Sequence, residues 1–261
     1  MRIGMYQFAV TGNIADNKEK ILNAIDRAYK KKIKLLIFPE CALTGYPPRN
    51  IENSSKVNFK ELENTYVLLQ NLCDAYEMYV IVGTITKEDS VFYNSVILFS
   101  PHMKRIIYNK RALWGWDRDN FSCGYENGMV QVEDWKIGIR ICFEVRFPEF
   151  FRELYKVQTD LNVIMFYDVS DVDDVSRYEM IKAHILTRAV ENVTYTVSVN
   201  AIEPFQTAPT ILYDKSGRVL CEAERNREQL LVYDLEKCEN DFGEKGREEI
   251  SNWLLFDKSV F

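Results

Sequence analysis

The chain has 261 residues, of which 47% are hydrophobic, and 33 Lys and Arg residues against 39 Asp and Glu residues leave a net charge of −6. That balance excludes a strongly basic nucleic-acid-binding protein, and no uncharged apolar run is long enough to cross a membrane. We therefore expect one α/β domain over residues 1–261, with neither a nucleic-acid partner nor a membrane partner.

The first half of the chain predicts strands that alternate with two helices. Residues 2–8 are typical of a first strand and not of a signal peptide. Asp16, with Glu19 three residues later, predicts a capping box at the start of the first helix, and apolar residues at helical spacing over 59–76 predict the second. The remaining predicted strands of this half are 33–38, 78–83, 91–99 and 104–109.

Two charged residues stand directly after predicted apolar strands. Glu40 follows the strand over 33–38, and Lys110 follows the strand over 104–109. Open α/β sheets place their sites at the carboxyl ends of strands, so both are candidates, although residues of either type are more commonly solvated surface charges. The next segment, 114–121, combines aromatic and charged residues, which suits either the wall of a polar pocket or a surface loop.

Residues 135–149 predict a strand, a sharp turn and a helix. Apolar and small or polar side chains alternate from Trp135 to Ile141, and Pro148 occupies a first helical position. Such a turn would hold the sulfur of Cys142 outside the strand beside free backbone N–H groups, which stabilise a developing oxyanion and lower the pKa of a thiol. This is the geometry of a nucleophile elbow, and the alternative is a buried structural cysteine.

The second half of the chain continues the alternation of strands and helices. Residues 161–167 predict a buried strand, and the acidic run 168–174 follows it. The run lacks the glycine and the oxygen spacing of a calcium loop, which leaves an acidic pocket rim or a helix N-terminus. The tail over 239–261 is charged and then apolar at 253–256, and we expect it at a subunit interface. A helix is predicted over 175–192, and strands are predicted over 193–200, 209–213, 218–223 and 229–235.

Cysteine and histidine usage limits the possible chemistry. The cysteines form no C-x-x-C pair, which predicts reduced thiols in a cytoplasmic protein. Only His102 and His184 are present, which excludes a His-rich metal site and disfavours a Ser-His-Asp triad. A thiolate nucleophile would therefore need a carboxylate as its base, with an ammonium group nearby to stabilise the oxyanion. We interpret the other cysteines as packing or incidental residues: Cys41, Cys73, Cys123, Cys221 and Cys238.

Four motifs, in order along the chain, carry a resemblance to a known family. Residues 38–46 look like the glutamate motif of the nitrilase, or carbon–nitrogen hydrolase, superfamily, and residues 108–114 look like its lysine motif. Residues 138–149 are similar to its cysteine motif, and residues 188–192 match a further structural signature. The resemblance covers nearly the whole chain.

This resemblance implies a four-layer α-β-β-α sandwich that hydrolyses a non-peptide C–N bond through a cysteine thioester, with no metal or other cofactor. Cys142 would be the nucleophile, Glu40 the general base and acid, and Lys110 the stabiliser of the oxyanion. The backbone N–H of Phe143 would be a second donor to the oxyanion. The resemblance also implies a homodimer or a larger homo-oligomer.

Two positions depart from the pattern of the family. A further glutamate is common after the lysine motif, and the matching position here is Asp117, which is one methylene shorter, with Asp119 as a weaker candidate. Ala112 stands where a histidine is frequent, which would change the shape of the pocket but not the core chemistry. Phe166 and Tyr167, at the end of the buried strand, are further candidates for substrate binding.

The expected function is that of an amidase-type hydrolase acting on a small amide or an N-carbamoyl compound, with release of ammonia or an amine. Nitrile hydrolysis uses the same three residues and is one alternative, and a catalytically silent binding or regulatory protein of the same fold is another. A glutaminase that supplies ammonia to a partner synthetase is a third, suggested by residues 45–48. The acidic run 168–174 would favour a cationic substrate such as an N-carbamoyl amine.

Overall fold

Two six-stranded β-sheets lie face to face in the computed structural model, which describes residues 1–256. Helices pack on the outer face of each sheet, and apolar side chains of both sheets fill the space between them. The single-domain α/β fold predicted from the sequence, a four-layer α-β-β-α sandwich, is therefore confirmed.

Strands and helices alternate along most of the chain. The helices are α1 (Ile14–Lys30), α2 (Phe59–Tyr76), α3 (Trp116–Asn120), α4 (Pro148–Lys156), α5 (Val175–Asn192) and α6 (Phe242–Phe256). The strands are β1 (Arg2–Gln7), β2 (Leu35–Ile37), β3 (Tyr79–Glu88), β4 (Val91–Phe99), β5 (Ile106–Asn109), β6 (Met129–Val132), β7 (Trp135–Ile141), β8 (Leu161–Phe166), β9 (Val169–Ser170), β10 (Tyr195–Asn200), β11 (Phe205–Gln206), β12 (Ile211–Tyr213), β13 (Val219–Glu222) and β14 (Gln229–Asp234).

The strand order is β14-β1-β2-β3-β4-β5 in the first sheet and β13-β12-β10-β8-β7-β6 in the second. Strands β1, β2 and β3 are parallel, as are β7, β8 and β10. Since β4 is antiparallel to β3 and β5 is antiparallel to β4, β5 runs in the direction of β2. The carboxyl ends of β2 and β5 therefore share one edge of the first sheet, and those of β7 and β8 share one edge of the second.

Both faces of each sheet are buried, which explains the uninterrupted apolar runs in the central strands. In β1, Met5 points toward the second sheet, whereas Tyr6 packs on the side of α1 and α2. In β8, Val163 packs between the sheets, whereas Ile164 packs against α4 and α5. Because successive side chains of a strand point to opposite faces, each central strand contributes to two layers of the core.

Some local predictions differ from the structure. Helix α1 begins at Ile14, because the Asn13 side chain accepts hydrogen bonds from two N–H groups of the first turn. Asp16 and Glu19 therefore lie inside the helix, and the capping box predicted there is wrong. Strand β3 continues to Glu88 in a long hairpin with β4. The sequence reasoning did not predict β6, the short pair β9 and β11, α3 or α6.

Helix α6 forms most of the C-terminal tail and packs on the outer helices of the second sheet. The hydroxyl of Tyr155, on α4, donates to the side chain of Asn252 at 2.8 Å, and Arg247 donates to the carbonyl of Val190 on α5 at 3.2 Å. Residues 257–261 of the predicted interface tail lie outside the described residues. Among the described helices, none is both long enough and apolar enough to cross a membrane.

Candidate active site

Glu40 lies in the turn directly after β2, at the edge of the sheet predicted from the sequence. One oxygen of its buried carboxylate accepts from Lys110 Nζ at 2.8 Å and from the Asn94 side chain at 2.7 Å. The other oxygen accepts from the backbone N–H of Tyr167 at 2.7 Å, and the Glu40 N–H donates to the Phe166 carbonyl at 3.3 Å. Because Phe166 ends β8, the edges of the two sheets meet at Glu40.

Lys110 follows β5 and is buried between two carboxylates. Its Nζ lies 2.8 Å from an oxygen of Glu40 and 2.8 Å from one oxygen of Asp117. The other oxygen of Asp117 accepts from the Tyr46 hydroxyl at 2.8 Å. Burial alone would lower the pKa of Lys110, but the charges of Glu40 and Asp117 raise it well above its usual value, so the side chain stays an ammonium. Asp119, the weaker candidate on the same helix, is exposed.

Cys142 follows β7 directly, in a left-handed backbone conformation. Its φ of 46° is uncommon for a residue with a side chain, and such strain often marks a functional position. Residues 142–146 form a 3₁₀ turn, after which α4 begins at Pro148. The sharp strand-to-helix turn predicted from the sequence is present. Cys142 as a residue is partly exposed, unlike Cys41 and Cys73, and its side chain packs against apolar clusters on both faces of the second sheet.

The charges of Glu40 and Lys110 both act on the thiol of Cys142. Burial, followed by the Glu40 carboxylate, raises the pKa of this thiol well above its usual value, and Lys110 only partly opposes the rise. The expectation that the turn would lower this pKa is therefore wrong, because desolvation and a nearby carboxylate outweigh the favourable groups. Burial also raises the pKa of Glu40, against the opposing effect of Lys110. The resting site thus holds a neutral thiol and a carboxylate with increased proton affinity.

The chain matches a model of a known protein family. A family model described as carbon-nitrogen hydrolase matches residues 2–239, which is most of the chain. The chain belongs to the carbon–nitrogen hydrolase family.

Relatives within the carbon–nitrogen hydrolase family include amidases and parts of larger enzymes. The chain is 28% identical over 242 residues to an (R)-stereoselective amidase of Pseudomonas sp, covering 89% of this chain and 84% of that protein. It is 26% identical over 247 residues to a glutamine-dependent NAD(+) synthetase of Aquifex aeolicus (strain VF5), covering 92% of this chain but only 42% of the synthetase.

A solved amidase structure has the same fold. It is a glutamate-to-glutamine mutant of the amidase from Nesterenkonia sp. AN1, in which acrylamide has added to the active-site cysteine. The TM-score is 0.79 at 20% identity, over 98% of this chain and 100% of that chain. At this level of identity, the likeness shows the fold alone.

An aromatic cavity adjoins the cysteine motif of this carbon–nitrogen hydrolase. Phe143 is partly exposed and lines an open cavity of about 740 Å³, together with Ala112, Trp114 and Phe147. The rings of Phe143 and Phe147 meet edge to face, with centroids 5.2 Å apart. Ala112 follows Lys110 closely in the chain, and Phe143 follows Cys142. Because both residues line the cavity, it lies beside the lysine motif and the cysteine motif.

Phe166 and Tyr167, at the end of β8, differ in which of their atoms reach the site. The side chain of Phe166 is fully buried and packs with Phe151 under α4 and α5, so the structure contradicts a substrate contact through this side chain. Only its carbonyl reaches the site, as the acceptor for Glu40. Tyr167 stacks on Tyr46 with ring centroids 5.2 Å apart, and its N–H helps to hold Glu40.

Arginines neutralise most of the acidic run 168–174. Three of its four aspartates form ion pairs with arginines from three separate segments, and the fourth caps α5. Because these pairs cancel charge, the electrostatic argument for a cationic substrate is lost. Among residues 1–256, no group of three or more His, Cys, Asp or Glu side chains is arranged to hold a metal ion. The pairs are Asp168 with Arg177 at 2.8 Å, Asp171 with Arg49 at 2.8 Å and Asp173 with Arg225 at 2.6 Å.

Sequence reasoning missed two side chains that contact the acidic residues of the site. Asn94 is buried in the middle of the apolar strand β4. A polar residue inside an apolar strand is a signal from which its role in the site could have been predicted. Tyr46 belongs to the glutamate motif, but its contact with Asp117 depends on the packing of α3 and has no local signal. The fourth motif, residues 188–192, contacts the cysteine turn. Arg188 Nε donates to the carbonyl of Val145 in that turn at 2.9 Å.

Proposed function

We propose that this chain is an amidase that cleaves the C–N bond of a small amide through a thioester on Cys142. The observation that carries the proposal is the buried contact between Glu40 and Lys110, whose charges act on the thiol of Cys142 in its strained turn. A nucleophile, a base and a cation are the groups that acyl transfer requires. Membership of the carbon–nitrogen hydrolase family and 28% identity to an amidase support the same reaction.

The first half of the cycle forms the acyl-enzyme. The Glu40 carboxylate takes the proton of the Cys142 thiol as the sulfur attacks the carbonyl carbon of the amide. The Lys110 ammonium and the backbone N–H of Phe143 stabilise the negative oxygen of the tetrahedral intermediate. Glu40, now a carboxylic acid, gives its proton to the departing nitrogen, and ammonia leaves as the C–N bond breaks. The acyl group remains on sulfur as a thioester.

The second half regenerates the site with the same residues. The Glu40 carboxylate takes a proton from water as the water oxygen attacks the thioester carbon, and Lys110 again stabilises the oxyanion. The carbon–sulfur bond then breaks, and the proton returns from Glu40 to the sulfur of Cys142, which releases the carboxylic acid. Asp117 takes no proton in this cycle; it holds the Lys110 ammonium together with Glu40.

The test is ammonia release from short aliphatic amides and the matching nitriles. We expect turnover of amides by the wild type and none by Cys142→Ala, which removes the nucleophile and only one side-chain atom. Cys221→Ala is the matched control, because Cys221 is also a partly exposed cysteine of the second sheet and follows no motif. Equal turnover by Cys142→Ala and the wild type would refute the mechanism, and release from nitriles alone would favour a nitrilase.

A glutaminase is the second candidate function, and the similarity to a glutamine-dependent NAD(+) synthetase favours it. The chain spans 42% of the length of that synthetase, so the ammonia would have to pass to a separate protein. Including glutamine in the amide panel tests this candidate. A kcat/KM for glutamine that exceeds those of the aliphatic amides would support a glutaminase, and the reverse order would support the small-amide function.

We further propose a homodimer or a larger homo-oligomer in a cytoplasmic setting. Six free cysteines support a reducing compartment, since none of them forms a disulfide within residues 1–256. An exposed apolar face on α6, formed by Ile250, Trp253 and Leu254, supports an interface along the tail over 239–261.

A further inference from the structure

Glu144, two residues after Cys142, is a fully buried carboxylate whose hydrogen-bond partners come from both motifs of the site. The Tyr108 hydroxyl lies 2.8 and 2.9 Å from its two oxygens. The backbone N–H of Arg111 donates to one oxygen at 2.7 Å, and the N–H of Ile141 donates to the other at 2.7 Å. All three donors are neutral groups, which hold the carboxylate in place at an interior position.

These donors lie next to Lys110 and Cys142, whose separation matters for the proposed reaction. Tyr108 and Arg111 lie on either side of Lys110 at the end of β5, in the first sheet. Ile141 directly precedes Cys142 at the end of β7, in the second sheet. One carboxylate therefore joins the backbone that carries the cation to the backbone that carries the nucleophile, across the boundary between the sheets.

We propose that Glu144 is a positioning residue that sets the placement of the Cys142 turn relative to Lys110. The inference rests on the proposed amidase function, and it adds a residue that itself exchanges no proton with the substrate. Glu40 and the Arg111–Glu153 ion pair also join the two sheets near this point, but Glu144 is bonded directly to the backbone on either side, next to Lys110 and next to Cys142. Loss of these bonds would let the Cys142 turn shift relative to Lys110. A displacement of about 1 Å of a reacting group can reduce a rate about 100-fold.

The hydrogen bonds of Glu144 predict which replacements of this residue lose activity. Glutamine has the same shape as glutamate but offers one acceptor oxygen and one NH₂ group, which would face an N–H or O–H donor across the former carboxylate. A buried donor left without its acceptor destabilises the native arrangement by about 1–3 kcal/mol. Aspartate keeps the charge and both acceptors but is one methylene shorter. Glu144→Asp should therefore retain more activity than Glu144→Gln.

Tyr108→Phe is a milder variant that removes the hydroxyl and leaves both backbone donors in place. Tyr6→Phe is its matched control. The hydroxyl of Tyr6, also a buried tyrosine, likewise donates to a glutamate, Glu228, at 2.5 Å, but this bond lies within the first sheet, between β1 and the residue before β14. Both variants thus lose one tyrosine–glutamate hydrogen bond, and only one of those bonds joins the two motifs.

The experiment combines steady-state kinetics with alkylation of Cys142 by iodoacetamide, followed by mass spectrometry of the Cys142 peptide over a range of pH. We expect Glu144→Gln to lower kcat about 100-fold while KM changes less than about threefold, because the residue acts on the geometry of the reacting groups. The pH dependence of alkylation should be displaced as well, since the thiol would sit differently relative to Lys110 and Glu40. Tyr108→Phe should change both readouts in the same direction, and Tyr6→Phe should change neither.

Alkylation needs no substrate, so the outcomes separate the two proposals. A wild type without amidase activity, combined with a displaced alkylation profile in Glu144→Gln, would refute the proposed function and support the positioning role. An active wild type whose kcat and alkylation profile are unchanged in a folded Glu144→Gln variant would overturn the positioning role, even if the melting temperature falls. If Glu144→Gln does not fold, Tyr108→Phe decides, and unchanged values in both readouts would overturn the inference.

Discussion

Three ionisable side chains of the site keep or lose protons for different physical reasons. Lys110 stays charged because two carboxylates contact it, whereas Cys142 stays neutral because burial and Glu40 disfavour the thiolate. Burial raises the pKa of Glu40, which makes this carboxylate a stronger base than an exposed glutamate. Environments that push the pKa values of neighbouring groups apart are typical of acid–base catalysis, so Glu40 is the residue best suited to transfer protons.

The raised pKa of Glu40 gives a prediction for the pH profile. Glu40 acts as a base only when it is deprotonated, so kcat/KM should fall as the pH decreases through its pKa. Because burial raises that pKa, we expect the acid limb to lie above 4.5, the usual value of a glutamate. Asp117 contributes to the rise, so Asp117→Asn should move the acid limb to lower pH. The measurement is kcat/KM for one amide across the acidic and neutral range.

Asp119→Asn is the control for the pH profile. Asp119 lies on the same short helix as Asp117 and has the same side chain, but it is exposed. Its replacement should therefore leave the acid limb in place. An acid limb at or below 4.5 in the wild type, or equal limbs in Asp117→Asn and the wild type, would show that Glu40 does not carry the essential base.

At the scale of elements, a glycine of β3 allows the turn after β2 to carry Glu40 inward. A Cβ at Gly83 would lie 2.3 Å from the carbonyl oxygen of Pro39 and 2.6 Å from the Cα of Glu40. The neighbouring atoms belong to the backbone and cannot rotate away. The Gly83 N–H also donates to the Pro39 carbonyl at 3.2 Å, so the turn is bonded directly to β3. The position of Glu40 therefore depends on the absence of a side chain at residue 83.

We predict that Gly83→Ala destabilises the protein and lowers its activity, whereas Gly246→Ala does neither. The first variant forces β3 and the Glu40 turn apart, which should lower the free energy of unfolding by about 1–3 kcal/mol and reduce kcat. At Gly246, inside α6, a Cβ would meet no atom within 4 Å, so alanine should stabilise the protein by about 0.4–1 kcal/mol. Thermal melting and amide turnover of both variants check this, and wild-type values for Gly83→Ala would contradict it.

Local signals predicted the elements around Cys142 well and others poorly. The alternation that ends at Ile141 and the proline at position 148 determine a strand and a helix start within a few residues, so the turn between them could be predicted. Strands β9 and β11 have two residues each and form only because distant segments meet. Helix α1 begins two residues before the predicted cap, because Asn13 caps it instead. Elements stabilised by tertiary packing left no periodic pattern to detect.

At the scale of the whole molecule, the sandwich brings together residues from strands of two sheets. The sequence predicted that Glu40, Lys110 and Cys142 each follow the end of a strand, but not that Cys142 would follow a strand of the second sheet and the other two residues strands of the first. It could not predict that Asn94 would contact Glu40, since that contact depends on strand register. It also suggested an acidic rim over 168–174, because two of the three arginines that pair with this run, Arg49 and Arg225, lie far away in the chain and only the fold brings them near.

The exposed surface of α6 bears on the oligomeric state of the protein. Ile250, Trp253 and Leu254 are spaced three and four residues apart, so they share one face of the helix, and they are 54%, 49% and 44% exposed. We expect a dimer or larger species for the wild type by light scattering after size exclusion, and a shift toward monomer for Trp253→Glu, because a charge buried at an apolar interface is strongly unfavourable. Met103→Glu is the control, since Met103 is 62% exposed in a turn far from the tail in the chain. A monomeric wild type, or an oligomer unaffected by Trp253→Glu, would refute an interface on this face.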